Sequence, residues 1–376
     1  MLKDPLINRK GPFRPTGKPL VKVTINGKAA ADWISFRAEA NGLGAVDAFQ
    51  VMLPWEVTEF VPRDDLLYSG PDKSSDLVFG SADVKIEAGF EGEGDPVSLI
   101  EGVMDRPAWD FSMRSGEIVT IHGRSYAARP FDYKETAKWQ NLTATAAFNE
   151  IAAFHGLTPV VPQETSTLVG EYQNEDHVNM KREVSHWDFV LYLAQAEGFT
   201  TRVKGKEWFL GPHDELPGYK LDPIPFTWGY NIDEPFRIER APNAARNLVV
   251  EVISWIPGKK AGSGQRIVEK ASFAESSTGH KYILRYYYPN FTRDQAQRTA
   301  QSILAELSKR QVYGSFNTDW FPDLSNDRRI SLHGVGHGLS QVYFAPKIVV
   351  SGSKESGLRT EITFTNLPLE EGGQFG

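Results

Sequence analysis

The chain contains no cysteine, which excludes disulfides, thiolate nucleophiles and Cys-ligated zinc. No stretch approaches the roughly 20 apolar residues of a membrane-spanning helix. The first ten residues, Met-Leu-Lys-Asp-Pro-Leu-Ile-Asn-Arg-Lys, carry charges and a proline where a secretory signal needs an apolar run. A basic excess is missing as well. Lys and Arg number 41 against 48 Asp and Glu, a formal net charge of −7, so general binding to nucleic acid or to an anionic membrane surface is not expected. Most of that imbalance is early, because residues 1–124 hold 14 basic and 19 acidic side chains, a net of −5. The expectation is a soluble protein from a reducing compartment, with no membrane insertion.

What is present leans toward strands. Aromatics make up 12% of the chain, with 33 Gly and 23 Pro among 376 residues, a composition of many turns between short strands. The length exceeds what one core usually fills and points to two to four units. Residues 1–18, with three prolines and no periodicity, read as an extended arm. Strand signals follow at Leu20–Ile25, Ile34–Ala40, Ala48–Leu53, Asp83–Ala88, Val97–Ile100, Arg106–Met113 and Ile118–Ile121. Asn26-Gly27 marks a two-residue hairpin. Seven short strands with intervening turns predict a barrel or sandwich over 19–125.

A small α/β unit follows over 126–215. Ala144, Ala147, Phe148, Ile151 and Ala152 share one face of a helix from Thr143 to His155. In Ser185 to Gly198, Trp187, Val190, Leu191 and Ala194 recur at helical spacing. Ser185 is placed to cap that helix and Gly198 to end it. Phe199–Val203 and Glu207–Leu210 flank Lys204-Gly205-Lys206 as a hairpin. The proline-rich stretch 212–225 reads as a boundary. Beyond it, over 216–366, come strands at Asn247–Trp255, Arg266–Lys270, Lys281–Tyr288, Gly314–Trp320, Arg329–Leu332, Gln341–Phe344, Lys347–Val350 and Leu358–Phe364. They are interrupted by a long helix within 292–310, where Thr292 and Gln295 form a capping box. Residues 367–376 read as a tail. The predicted fold is therefore a β-rich α+β protein.

Motifs that carry chemistry are sparse. His333-Gly-Val-Gly-His337-Gly338 offers two His four apart, but three glycines make the segment a turn rather than a zinc-binding helix. Glu91-Gly-Glu93-Gly-Asp95 clusters carboxylates without the spacing of a calcium loop and reads as a solvated hairpin tip. The run Arg285-Tyr-Tyr-Tyr288 and the nine Trp could stack on bases or sugars, with core or interface roles as the plainer reading. His155 and His186 fall at helix ends and read as cap or surface positions. No pair among the 48 acidic residues is singled out for glycoside hydrolysis. No catalytic, cofactor-binding or metal-ligating residue is assigned.

The order of elements resembles the phage late control D family, the baseplate or tail hub proteins, and is similar to the N-terminal hub part of type VI secretion spike proteins. The resemblance is carried by the helix Asn141–Leu157, the segment Ser185–Phe199 with its hairpin ending Glu207-Trp-Phe-Leu210, and the C-terminal series around Ala296, Ala300, Arg329–Leu332, Val342–Ala345, Lys347–Val350 and Gly357–Phe364. It implies two tube-like β-barrel domains, 19–125 and 216–366, with the small α/β domain between them and an inserted helix. It further implies a structural, non-enzymatic homotrimer in the virion tail or baseplate, assembled in the host cytoplasm. Such a trimer joins a six-fold tail tube or distal tail protein to a three-fold spike and lines the channel through which DNA passes. The alternatives are a tail-associated cell-wall or polysaccharide hydrolase and a carbohydrate-binding module. A recognisable peptidoglycan-binding or lysozyme-like extension is missing.

Overall fold

The computed structural model describes residues 17–54, 82–92, 94–112, 116–135, 142–165, 168–169, 184–241, 248–256, 264–272, 282–308, 311–336 and 338–366. The expected arm, apart from its last two residues, and the expected tail therefore lie outside the described residues. Seven strands come first: β1 (Pro19–Ile25), β2 (Lys28–Ala29), β3 (Ser35–Ala40), β4 (Ala48–Pro54), β5 (Asp83–Phe90), β6 (Val97–Ser112) and β7 (Gly116–Ser125). Alternation decides which face each presents. In β4, Phe49, Val51 and Leu53 are buried and the residues between them half-exposed, the period of a strand with one face on a core. Asn26 and Gly27 take left-handed φ of 48° and 79°, which lets two residues reverse the chain between β1 and β2.

The two strands read at 97–100 and 106–113 are one. β6 runs through Gly102 and Pro107 and shifts register against β7 between Met104 and Arg106, so the apparent break is a bulge. Gly102 lies so close to β7 that a Cβ there would stand 1.9 Å from the Arg124 carbonyl oxygen.

The middle unit contains α1 (Ala128–Asp132), β8 (Lys134–Glu135), β9 (Leu142–Thr143), α2 (Ala144–Phe154), β10 (Thr158–Val160), β11 (Leu168–Val169), β12 (Val184–Ser185), α3 (His186–Glu197), β13 (Thr200–Lys204) and β14 (Glu207–Gly211). The ends of α3 follow from its sequence: Ser185 Oγ accepts the Asp188 N–H at 3.0 Å, and Gly198 closes the helix at φ 71°. Phe148, Ile151, Trp187, Val190, Trp208 and Leu210 share one core. Trp187 stacks on Trp208 at 5.7 Å. This unit is fastened to the strands before and after it. Trp187 Nε1 donates to the Gly44 carbonyl at 3.3 Å, Gly44 N–H donates to the Thr201 carbonyl at 3.0 Å, and Arg202 of β13 pairs with Asp327 at 2.8 Å.

The remaining elements are β15 (Ile224–Thr227), β16 (Asp233–Arg240), β17 (Leu248–Ile256), β18 (Gln265–Ser272), β19 (Tyr282–Tyr287), α4 (Arg293–Ser308), β20 (Val312–Asp319), β21 (Arg329–His333), β22 (Val342–Ser353) and β23 (Gly357–Asn366). β16, β20, β23 and β22 pair in that order. β22 then pairs antiparallel with β3, and the sheet continues through β4, β7, β6, β5, β1 and β2. Two separate barrels were expected; the strands form one 13-stranded sheet, and among the described residues no ring of pairing closes. The core is shared accordingly, with Val51, Ile86 and Ile121 in the same apolar cluster as Phe226, Phe316 and Ile362.

The physical reason is the length of β22. Its first residues pair with β21 and its last six with β3, with a register shift between Phe344 and Lys347. Pro346, which has no N–H for a ladder, sits in that shift, so the two strands expected at 341–344 and 347–350 are one bent strand.

A second difference concerns 248–308. The sequence reading placed β17 to β19 in a second barrel and treated the helix alone as an insertion. The strands instead leave the large sheet between β16 and β20 and make their own three-stranded sheet, β18-β17-β19, with β19 parallel to β17. α4 covers one face: Ala296, Ala300, Ile303 and Leu304 pack on Leu248, Val250, Val252 and Ile267. The capping box forms as read, with Thr292 N–H donating to Gln295 Oε1 at 2.9 Å and Gln295 N–H to Thr292 Oγ1 at 3.3 Å. Arg298 of α4 reaches Glu197 of α3 at 2.8 Å.

Candidate functional site

The glycine string after β21 is a turn. Gly334, Gly336 and Gly338 all have φ between 75° and 97°, His333 sits at the end of β21, and its Nε2 is 3.1 Å from Ser331 Oγ. His337 lies outside the described residues. Among the described residues no group of three His, Asp or Glu is placed to hold a metal ion. Glu91 and Asp95 are exposed in the turn joining β5 to β6, as the sequence reading had it; Glu93 lies outside the described residues.

His155 and His186 do stand at helix ends, His155 as the C-cap of α2 and His186 as the first residue of α3, but neither is on the surface. Both are buried, and His155 Nε2 lies 2.9 Å from His186 Nδ1. α2 delivers the first from its C-terminal end and α3 the second from its first residue, so two helix ends meet under Tyr133 and Phe154. Burial, reinforced by His186 and Arg129, holds His155 down at about 4. A buried pair of this kind joins helices; the position of a residue in a helix does not reveal what packs over it.

The run Arg285-Tyr-Tyr-Tyr288 divides by strand alternation. Tyr286 and Tyr288 pack toward α4, Tyr288 stacking on Phe291 at 4.9 Å. Ile283, Arg285 and Tyr287 point to the other face of the small sheet. The register of β17 with β18 and β19 sets Glu251, Trp255, Arg266 and Lys270 on that same outer face. Val249 shares it and is half-exposed. Tyr287 is 72% exposed, Trp255 54% and Ile283 44%, a concentration of exposed apolar surface that marks interaction sites more often than not. Across the face Glu251 lies between Lys270 at 2.8 Å and Arg285 at 2.9 Å. Hydrogen bonds from these two cations hold its carboxyl below the ordinary glutamate value. Arg266 lies farther along the same face, opposite Trp255. The aromatic run was the sequence signal for this surface; its exposure follows from the separate sheet, which the sequence did not announce.

The sequence matches no protein-family model and no curated protein sequence. The three-dimensional arrangement does match solved structures. A tail protein from Neisseria meningitidis MC58 covers 93% of this chain and 96% of its own, with a TM-score of 0.64 at 14% identity. The 43 kDa tail protein of prophage MuSo2 from Shewanella oneidensis covers 93% and 98%, with a TM-score of 0.66 at 13% identity.

The chain has the phage tail-protein fold.

A third similar structure is the E. coli c3393 protein, a component of the type VI secretion system described as structurally similar to the T4 tail proteins gp27 and gp5. It covers 94% of this chain and 79% of its own, with a TM-score of 0.56 at 10% identity. In this tail-protein fold the large sheet, the α/β unit and the small sheet with α4 all fall within the matched length. No helix among the described residues is long and apolar enough to cross a membrane.

Proposed function

We propose that this chain is a structural tail or baseplate hub protein with no chemistry of its own, a homotrimer that adapts a six-fold tail tube to a three-fold spike in the virion. The observation that carries the reading is the pairing of β22 with β3, which holds the strand sets of 19–125 and 216–366 rigidly in one sheet. Each copy would offer two strand-bearing regions in fixed relation, so three copies would offer six to the tube, the way a three-fold body meets a six-fold partner. The likeness over more than nine-tenths of the chain to two tail proteins supports the tail assignment. The acidic excess of residues 1–124 suits a channel wall that repels phosphates and lets DNA slide through without adhering. The assembly is built in the host cytoplasm.

The test is native mass of the purified chain, followed by electron microscopy of the chain mixed with its tube and spike proteins. A trimer seated between a six-fold and a three-fold partner is the expected result. A monomer that joins neither partner, or clearing of peptidoglycan by the purified chain, overturns it.

A further inference from the structure

The outer face of the β17–β19 sheet runs on to the edge of β19. Among the described residues β19 pairs only with β17, and its exposed Ile283 and Tyr287 lie on that face with Arg285 between them. Native sheets normally blunt such an edge with charge, proline or a covering segment. Here the edge strand carries Arg285 between Ile283 and Tyr287, with Arg266 and Lys270 of β18 on the same face.

Elsewhere on the same chain is a surface of the opposite sign. Residues 87–101 hold five acidic side chains and no basic one; Glu87 and Glu101 pair with lysines of β1 and β5, which leaves the turn to carry the negative charge. Glu91 and Asp95 are exposed at the turn from β5 to β6, with exposed Val97 and Leu20 beside them.

We propose that the basic, aromatic face of the β17–β19 sheet receives the acidic β5–β6 turn of a second copy of this chain. The two patches differ, so the contact is head-to-tail and repeats from copy to copy, closing a ring when the rotation permits. The inference rests on the multi-copy reading above and adds which surfaces meet. A single-stranded nucleic acid is the competing occupant, since exposed aromatics with nearby cations also form stacking platforms. The structure favours protein. Glu251 neutralises the centre of the face, and the edge strand presents Ile283 and Tyr287 on either side of the paired Arg285 rather than a row of cations tracking a phosphate chain.

The absence of native cysteine makes trapping clean. One chain carrying Tyr287→Cys and another carrying Asp95→Cys are mixed and oxidised; a disulfide-linked pair of the two is the expected product. In sedimentation, Arg266→Glu combined with Tyr287→Asp should weaken self-association by about tenfold or more, as should Glu91→Lys with Asp95→Lys, while the first pair mixed with the second regains it. Circular dichroism melting of each variant confirms folding, and neither set touches the Lys270–Glu251–Arg285 ladder. If the wild type assembles but no cross-link forms and both variants assemble as tightly, the docking inference falls and the hub reading stands. If the wild type stays monomeric at high concentration, the docking inference falls; the hub reading falls with it only if that monomer also joins neither tube nor spike. Tight binding of a labelled oligonucleotide to the wild type that Tyr287→Asp abolishes also overturns the inference.

Discussion

Arg202 Nη1 stands 2.8 Å from Asp327 Oδ2, with 10% and 5% of the two side chains exposed. The pair joins β13 of the α/β unit to the loop before β21, where Asp327 also accepts from the Gly218 N–H at 3.2 Å and from the Ser325 hydroxyl. Burial by itself would raise the Asp327 carboxyl; Arg202, Ser325 and Lys204 outweigh it and hold the group below the ordinary aspartate value. The junction is thus electrostatic as well as apolar.

Removing one partner leaves an uncompensated buried charge, which costs about 3–5 kcal/mol. Arg202→Met is therefore expected to lower the urea midpoint strongly. Arg202→Met with Asp327→Leu should recover much of that loss, because the stranded charge is gone. A single variant within about 0.5 kcal/mol of wild type, the size of an ordinary surface change, shows that the pair does not hold the junction.

Asp47 lies near the same guanidinium and titrates the other way. Burial pushes it up to about 7, against the opposing effects of Arg202 and the Asn41 N–H. A carboxyl raised in the folded state contributes stability that is complete below its unfolded value and is lost as pH rises through the folded one. The window runs from about 4 to about 7. Asp47→Asn keeps an oxygen for the Asn41 N–H, so it should melt above wild type at pH 8, with the difference shrinking toward pH 4. A difference independent of pH excludes this role.

The His155–His186 pair predicts acid sensitivity higher than carboxylates alone would give. His155 is lowered from 6.5 to about 4, so the unfolded chain takes its proton first, and stability falls as pH drops from about 6.5 to about 4. His155→Gln should flatten that limb of a melting-temperature profile. An unchanged slope counts against the pair as its source.

Gly102 tests close packing rather than charge. With a Cβ placed 1.9 Å from the Arg124 carbonyl oxygen, Gly102→Ala forces β6 and β7 apart, and overpacking of this kind costs about 1–3 kcal/mol or more. Hydrogen exchange should quicken along β7 in that variant. Protection equal to wild type means the strands absorb the methyl elsewhere.

Local signals were the readable ones. The ends of α3 and α4 depend on Ser185, Gly198, Thr292 and Gln295 acting within four residues, and each does what its sequence neighbours imply. The strands of 19–125 were readable for the same reason, through their period of two. The pairing of β22 with β3 was not, because nothing in either strand names its partner. Val249, His155 and His186 show the same limit from the side of burial: alternation and helix ends assign a face, and only the tertiary arrangement says whether another layer lies on it. The candidate surface was half visible, with Arg285-Tyr-Tyr-Tyr288 flagged by its aromatics and the cations of β18 brought beside it by a sheet that sequence order did not separate from the rest.

Lys347 of β22 donates to Glu39 of β3 at 3.2 Å across 308 residues of chain. A ribosome adding roughly 5–20 residues per second needs about 15–60 s to cover that distance, and throughout it β3 has its β4 side filled and its other side open. The nascent protein therefore passes a long interval with an unfinished seam, and completes it only when the strand that also receives β21 and β23 emerges. Production of this protein is tied to keeping early chains apart from one another until that strand has been made.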